Sequence, residues 1–311
     1  MDYKKRINKL ADSLKKENID AVMVGPSPDL EYLTGLTPSA DERFKGLFVL
    51  SDGRYFYVSP SLYVEETRKG LGDDAKIFIW YDAEGFLKAV QEAKEEFDLS
   101  QKRIAVNDGI SAVHLIDIQK VVDSKFINGD VLVGHLRIIK SDDEIENLRR
   151  ASNIIDDVVN DLVDYIRPGL LERDIKKKIE ELCLEKGASG LSFDPIVASG
   201  PNSSMPHYNQ YTRTIQNRDS VLLDLGCRYN GYCSDTTRMV FIGEPTQKQK
   251  DVYKAVLEAN LTAEAFIKEG VTAEEVDAKA RGVLEKAGLG EYFITRTGHG
   301  IGVNVHEHPN I

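Results

Sequence analysis

Residues 220–242 read SVLLDLGCRYNGYCSDTTRMVFI, and the way this stretch folds back on itself decides the second half of the chain. Asn230-Gly231 is a strong two-residue hairpin signal, because both central positions of such a turn need positive φ. Pairing outward sets Tyr229 against Tyr232, Gly226 against Asp235 and Asp224 against Thr237. Opposed side chains share a sheet face, and so do residues two apart on one strand. Asp224 and Asp235 are therefore expected on one side as diagonal neighbours, roughly 7–8 Å apart at Cα. Carboxylates converging from that spacing can bracket two cations about 3.5–4 Å apart. Gly226 is expected to leave open space above Asp235, and Thr237 to hydrogen-bond Asp224. Asp224 also sits inside the apolar run VLLDL, where a carboxylate is costly unless paired, protonated or bound to a cation. The bland alternative is a hairpin whose aspartates only keep it soluble, and a bulge would undo the register.

Working outward, four of the six histidines follow residue 200. His207 comes after the Gly/Pro-rich ASGPNSSMP, on irregular backbone near a strand end. His299 lies in GHGIG, where glycines let other groups approach the main chain, and His306 follows with Glu307 beside it. Each histidine alone has an ordinary structural reading. GHGIG is not a phosphate loop, since it lacks GxGxxG spacing and the strand–turn–helix context. His114, His135 and His308 carry no particular signal.

The remaining sequence alternates cleanly enough to divide. Ile7, Leu10, Ala11 and Leu14 share one helical face; AVMV at 21–24, LFVL, YFYV and KIFIW at 76–80 read as strands; Phe86, Leu87, Val90, Ala93 and Phe97 form a second helical stripe. That is a mixed α/β domain. Its loop 35–46, GLTPSADERFKG, is expected to project from the surface. Ser141 and Glu144 then form a capping box opening a long helix with a buried stripe of Ile145, Leu148, Ile155, Val159, Leu162 and Ile166, stopped at Arg167-Pro168-Gly169. A second helix runs to Lys186-Gly187. Thr246 with Gln249 and Thr272 with Glu275 cap two more, ending at Gly270 and Gly288. Grouped helices with antiparallel strands make the second part α+β. The expected domains are 1–136 and 137–311.

Composition limits the classes of function. With 51 acidic against 40 basic residues the net charge is −11, a sign that repels phosphate backbones, so nucleic acid is excluded as an expected partner. No apolar run approaches the roughly 20 residues that span a bilayer, and the amino terminus MDYKKRINKLADSLKK is a charged amphipathic helix rather than a signal sequence. Cys183, Cys227 and Cys233 are odd in number and lack CxxC spacing, which reads as reduced thiols in a cytoplasmic protein.

Three segments in order, FDPIVASGPNSSMPHY, LLDLGCRYNGYCSDTTR and GHGIGVNVHE, resemble the pita-bread metallopeptidases: prolidases, aminopeptidase P and methionine aminopeptidases. PDLEYLTG at 28–35 looks like the creatinase/prolidase amino-terminal domain. The resemblance implies an α/β N-terminal creatinase/prolidase-like domain followed by an α+β pita-bread domain. It implies metal-assisted hydrolysis of the bond before proline in Xaa-Pro dipeptides or short peptides. Carried over, Asp224 and Asp235 resemble metal ligands, Asp235 the one that bridges both ions, and His299 the histidine ligand. His207 and His306 resemble the two non-ligand histidines that hold substrate and stabilise the tetrahedral intermediate. Two divalent ions are implied. Oxygen-rich ligation with one imidazole favours manganese or cobalt, with zinc as the third option.

Family members add two glutamate ligands beyond the GHGIG segment, and Glu307 does not stand in for either. The chain is therefore expected to be C-terminally truncated and, by itself, inactive, the activity belonging to the complete protein. A homodimer is implied, with Asp41, Glu42 and Arg43 of the 35–46 loop as candidates to reach the partner's site, although a solvated polar loop is the simpler reading. The short first domain suits prolidase over aminopeptidase P, and methionine aminopeptidases normally lack it. Creatinase-like chemistry does without the metal aspartates. A catalytically inactive peptide-binding or scaffold protein of the same fold is the rival of another class.

Overall fold

Ala21–Val24 (β1) is apolar at every position, and all four residues are buried, as a strand covered on both faces requires. It is the centre of a six-stranded sheet in the first of two units, which divide between Ile139 and Lys140. The computed structural model describes residues 2–72 and 75–311. The other strands of the sheet are Gly46–Leu50 (β2), Tyr55–Pro60 (β3), Lys76–Trp80 (β4), Arg103–Val106 (β5) and Lys125–Asn128 (β6), in the order β4-β3-β2-β1-β5-β6. β2 is antiparallel to both β1 and β3; the other pairs are parallel. Helices Tyr3–Lys16 (α1), Pro28–Thr34 (α2), Val64–Leu71 (α3), Leu87–Phe97 (α4), Ala112–Ile118 (α5) and Asp130–Ile138 (α6) complete the unit. α1 buries Ile7, Leu10, Ala11 and Leu14. Phe56 stacks on Phe48 at 4.6 Å and meets Phe97 of α4 at 4.5 Å between centroids.

Two expectations change here. The boundary expected at 136/137 falls inside α6, an element whose short amphipathic run DVLVGHLRI gave no reading in the sequence. The 35–46 loop is tied down rather than projecting. Leu36, Phe44 and Lys45 are buried, and the Lys45 ammonium lies 2.7 Å from the Asp41 carboxylate, 2.8 Å from Ser39 O and over the Tyr63 ring. Arg43 pairs with Asp82, and His114, packed edge-on against Phe44 and Phe86, lies 3.1 Å from Glu42 O.

The second unit contains helices Asp142–Tyr165 (α7), Glu172–Glu185 (α8), Gln247–Phe266 (α9) and Ala273–Lys286 (α10). Its strands are Gly190–Leu191 (β7), Ile196–Ser199 (β8), Ser220–Leu225 (β9), Cys227–Tyr229 (β10), Tyr232–Cys233 (β11), Thr236–Phe241 (β12), His299–Gly300 (β13) and Glu307–Asn310 (β14), and every pairing is antiparallel. The capping boxes at Ser141, Thr246 and Thr272 all form. α7 and α8 close over the sheets, with Ala151, Ile155, Val158, Leu162, Ile175 and Ile179 packed against Val221, Leu223 and Leu225.

Of the stripe expected for α7, Ile155, Leu162 and Ile166 are buried as read, whereas Leu148 and Val159 are only half-buried. Ile145 is exposed, while Glu144, Ala151 and Val158 are inside. Glu144 has a partner distant in sequence: Tyr232 donates its hydroxyl to that carboxylate at 2.9 Å. α9 ends at Phe266, before Gly270. Among the described residues no helix is long and apolar enough to cross a membrane.

Candidate metal centre

Asn230 and Gly231 take φ of 49° and 84°, the left-handed pair that the hairpin turn demands. Arg228 faces Cys233 and Leu225 faces Thr236, so one register runs through the whole ribbon, with Asp224 opposite Thr237 as expected. Regular pairing lapses only around Gly226 and Ser234-Asp235. There the chains are held by Ser234, which donates its N–H to Cys227 O at 2.9 Å and accepts from Cys227 N at 3.0 Å. Ser192 adds its hydroxyl, donated to Ser234 O at 2.8 Å. Gly226 does not open space as expected. A Cβ there would lie 2.0 Å from Ser234 O and 2.2 Å from Ser192 Oγ, so the glycine is needed for a close backbone approach.

On β9 the alternation buries Val221, Leu223 and Leu225 against the helices and leaves Leu222 and Asp224 on the opposite face. Thr237 donates to Asp224 Oδ1 at 3.0 Å. Asp235 Oδ2 lies 3.5 Å from His299 Nε2. His299 Nδ1 is 3.0 Å from Gly300 O; a carbonyl can only accept, so the ring proton belongs on Nδ1. With Nδ1 engaged in this way, Nε2 is the ring atom turned toward the carboxylate oxygen. A proton on Nε2 or a metal ion beside it is what such a nitrogen–carboxylate approach accommodates.

The electrostatics agree. Burial pushes the Asp224 carboxyl above its usual range, and the Asp235 charge pushes it further, while Thr237, His207 and His299 only partly offset this. Burial also raises Asp235, against the pull of His299 and His306. Half-buried carboxylates that resist ionisation, beside an imidazole whose Nε2 faces one of them, form an oxygen-rich donor set suited to a hard or borderline divalent cation. Among the described residues no three ligating side chains converge closely enough to hold an ion alone.

The His306 ring packs edge-on against His299 with centroids 4.3 Å apart. Its pKa is lowered by burial first and then by the His299 charge, so it is neutral near pH 7. His207 sits on an exposed turn after the 3-10 turn Gly200–Ser204, close enough to influence both Asp224 and His306 electrostatically. Glu307 faces elsewhere: its Oε1 accepts from Asn304 N at 2.9 Å and its Oε2 lies 3.4 Å from Lys140 Nζ.

One group had no reading in the sequence. Glu172, fully buried in the first turn of α8, accepts from Ser199, Asn202, Tyr208 and Arg213. An acidic residue in a first helical turn is normally a solvated one that favours the helix dipole, so nothing local marks this one as buried.

A two-unit chain whose second unit sets carboxylates and histidines along an antiparallel ribbon has the make-up of a metallopeptidase. The chain belongs to the metallopeptidase family M24, whose description fits residues 146–311, and residues 6–139 fit the Creatinase/Prolidase N-terminal domain. The family resemblance and fold class read from the motifs are thereby borne out. The chain is similar to the Xaa-Pro dipeptidase of Lactobacillus delbrueckii subsp. lactis, at 32% identity over 308 residues covering 98% of this chain and 84% of the relative. It is similar to the Xaa-Pro dipeptidase of Pyrococcus horikoshii at 33% over 310 residues, with shares of 98% and 84%. The crystal structure of a recombinant prolidase from Thermococcus sibiricus superposes with a TM-score of 0.94 at 37% identity, covering 100% of this chain and 84% of that one.

Proposed function

We propose that the protein hydrolyses the peptide bond before proline in Xaa-Pro dipeptides, with Asp224, Asp235 and His299 holding divalent cations. The observation that carries this reading is the opposition of Asp235 Oδ2 and His299 Nε2 at 3.5 Å, with Asp224 on the same ribbon. Bound cations supply electrophilic polarisation of a carbonyl and of water. The chain's own residues do the rest. The Gly300 carbonyl fixes the ring and tautomer of His299, and Thr237 orients Asp224, as outer partners of metal ligands do. His306, neutral near pH 7, and His207 donate N–H groups to the oxyanion that develops on the substrate carbonyl, interactions worth roughly 3–4 kcal/mol per donor. Proline's imide offers no N–H, and none of these groups requires one.

Manganese or cobalt suits the donor set best, with zinc third. A small peptide is the substrate, a homodimer the assembly and the cytoplasm the compartment, the last in keeping with three buried cysteines that form no disulfide. The test is hydrolysis by the full-length protein with Mn²⁺. Ala-Pro is expected to turn over at least about tenfold faster than Ala-Ala, a discrimination of about 1.4 kcal/mol. Equal rates on the two would contradict the proline specificity, and binding of Ala-Pro without turnover would mark a peptide-binding module instead.

A further inference from the structure

Glu172 lies at the first helical position of α8, and both its oxygens are saturated. Oε1 accepts from Ser199 N at 2.8 Å, Ser199 Oγ at 2.8 Å and Asn202 Nδ2 at 3.0 Å. Oε2 accepts from Tyr208 Oη at 2.7 Å and Arg213 N at 3.2 Å. Burial pushes this carboxyl upward, but the hydrogen bonds from Tyr208, Asn202 and Ser199 outweigh it and hold the pKa below the usual range. The group is therefore a carboxylate at neutral pH, with acceptor capacity on both oxygens.

The donors are not scattered. Ser199 and Asn202 precede His207, while Tyr208 and Arg213 follow it. The Arg213 guanidinium returns to Ser199 Oγ at 2.7 Å and pairs with Asp219, closing the ring of contacts. His207 itself is exposed, but its neighbour Tyr208 is buried, and that side chain ends on Glu172. The turn that carries the histidine is thus stapled on both sides to one point in the core.

We infer that Glu172 is a positioning residue for His207, a single buried carboxylate that clamps the 199–213 segment and fixes where the exposed imidazole stands. The inference rests on the role given to His207 above. Glutamine at 172 keeps one acceptor oxygen but replaces the other with an NH₂ donor, which must face either Tyr208 and Arg213 or Ser199 and Asn202. Half the clamp is then donor against donor. Misplacement of a catalytic group by about 1 Å can cost about 100-fold in rate.

The experiment is a double-mutant cycle on the full-length protein with Mn²⁺, using Glu172→Gln, His207→Ala and both together, with kcat and KM on Ala-Pro and bound metal measured for each. Tyr208→Phe serves as the milder second variant if Glu172→Gln does not fold. Glu172→Gln is expected to lower kcat by about 10- to 100-fold at unchanged metal content. In the His207→Ala background the same change is expected to cost less than about threefold, the coupling of residues that act as a unit. Full additivity of the two losses would overturn the inference, as would unaltered kcat in both Glu172→Gln and Tyr208→Phe. Unchanged turnover in His207→Ala alone would instead overturn the reading of His207 on which the inference rests.

Discussion

Asp235→Asn in the full-length protein is expected to lower kcat/KM on Ala-Pro by about 10³-fold, and Asp224→Asn by a similar amount. Electrophilic catalysis by a bound cation is worth several kcal/mol, and about 1.4 kcal/mol is tenfold in rate. Each substitution removes one charged oxygen donor from a site that has few. The same substitutions are expected to act in the opposite sense on the stability of the metal-free protein. Burial and the Asp235 charge raise the folded-state pKa of Asp224 above its unfolded value. Stability linked to such a group is fully present below the unfolded carboxylate value and is lost as pH rises through the folded one. Above that folded-state value the metal-free wild type carries a half-buried, repelled carboxylate that the Asp224→Asn variant lacks. The thermal midpoint of metal-free Asp224→Asn is expected to equal or exceed wild type at pH 7.5, with the advantage shrinking as the pH falls into the carboxylate range. A variant that lost both activity and stability at neutral pH would mark Asp224 as a structural residue.

Gly226→Ala is expected to destabilise the second unit by about 3 kcal/mol, the upper end of ordinary overpacking, and to abolish metal-dependent turnover. The added Cβ would meet a backbone oxygen, Ser234 O, at 2.0 Å and Ser192 Oγ at 2.2 Å. Backbone cannot rotate aside as a flexible side chain can. The β10–β11 end of the ribbon must move, and Asp235 moves with its neighbour Ser234. Gly282→Ala is the control: it lies within α10 with nothing near its missing Cβ, and alanine there is expected to stabilise by up to about 1 kcal/mol. Thermal denaturation of both variants checks the pair, at roughly 2–4 °C for each kcal/mol. A Gly226→Ala midpoint within roughly 1–2 °C of wild type would mean that the ribbon yields without strain.

These cases also separate what the sequence could say from what it could not. The Asn-Gly turn dictates its own backbone conformation, and once it is placed, counting outward gives the register that the ribbon adopts. The capping boxes at Ser141, Thr246 and Thr272 are equally local, and they form where the spacing puts them. What escaped depended on partners distant in sequence. Glu144 is buried where it receives a hydroxyl from Tyr232, while Ile145 beside it stays exposed, although Ile155 and Leu162 lie inside as their spacing implies. Lys45 is buried because Asp41 and Tyr63 receive it, and this ties down a loop that composition alone would leave in solvent. Glu172 looks like any acidic residue in a first helical turn until Ser199, Tyr208 and Arg213 are folded around it. Gly226 suggests a gap above Asp235 from sequence alone, whereas Ser234 of the opposite strand fills that space.

The most direct test of the paired aspartates is Mn²⁺ binding followed by electron paramagnetic resonance and calorimetry on the full-length wild type, Asp224→Asn and Asp235→Asn. Wild type is expected to take up two ions with a spin-coupled signal, and each variant to lose the coupling together with one or both ions. Undiminished, coupled binding in both variants would contradict the assignment of these carboxylates.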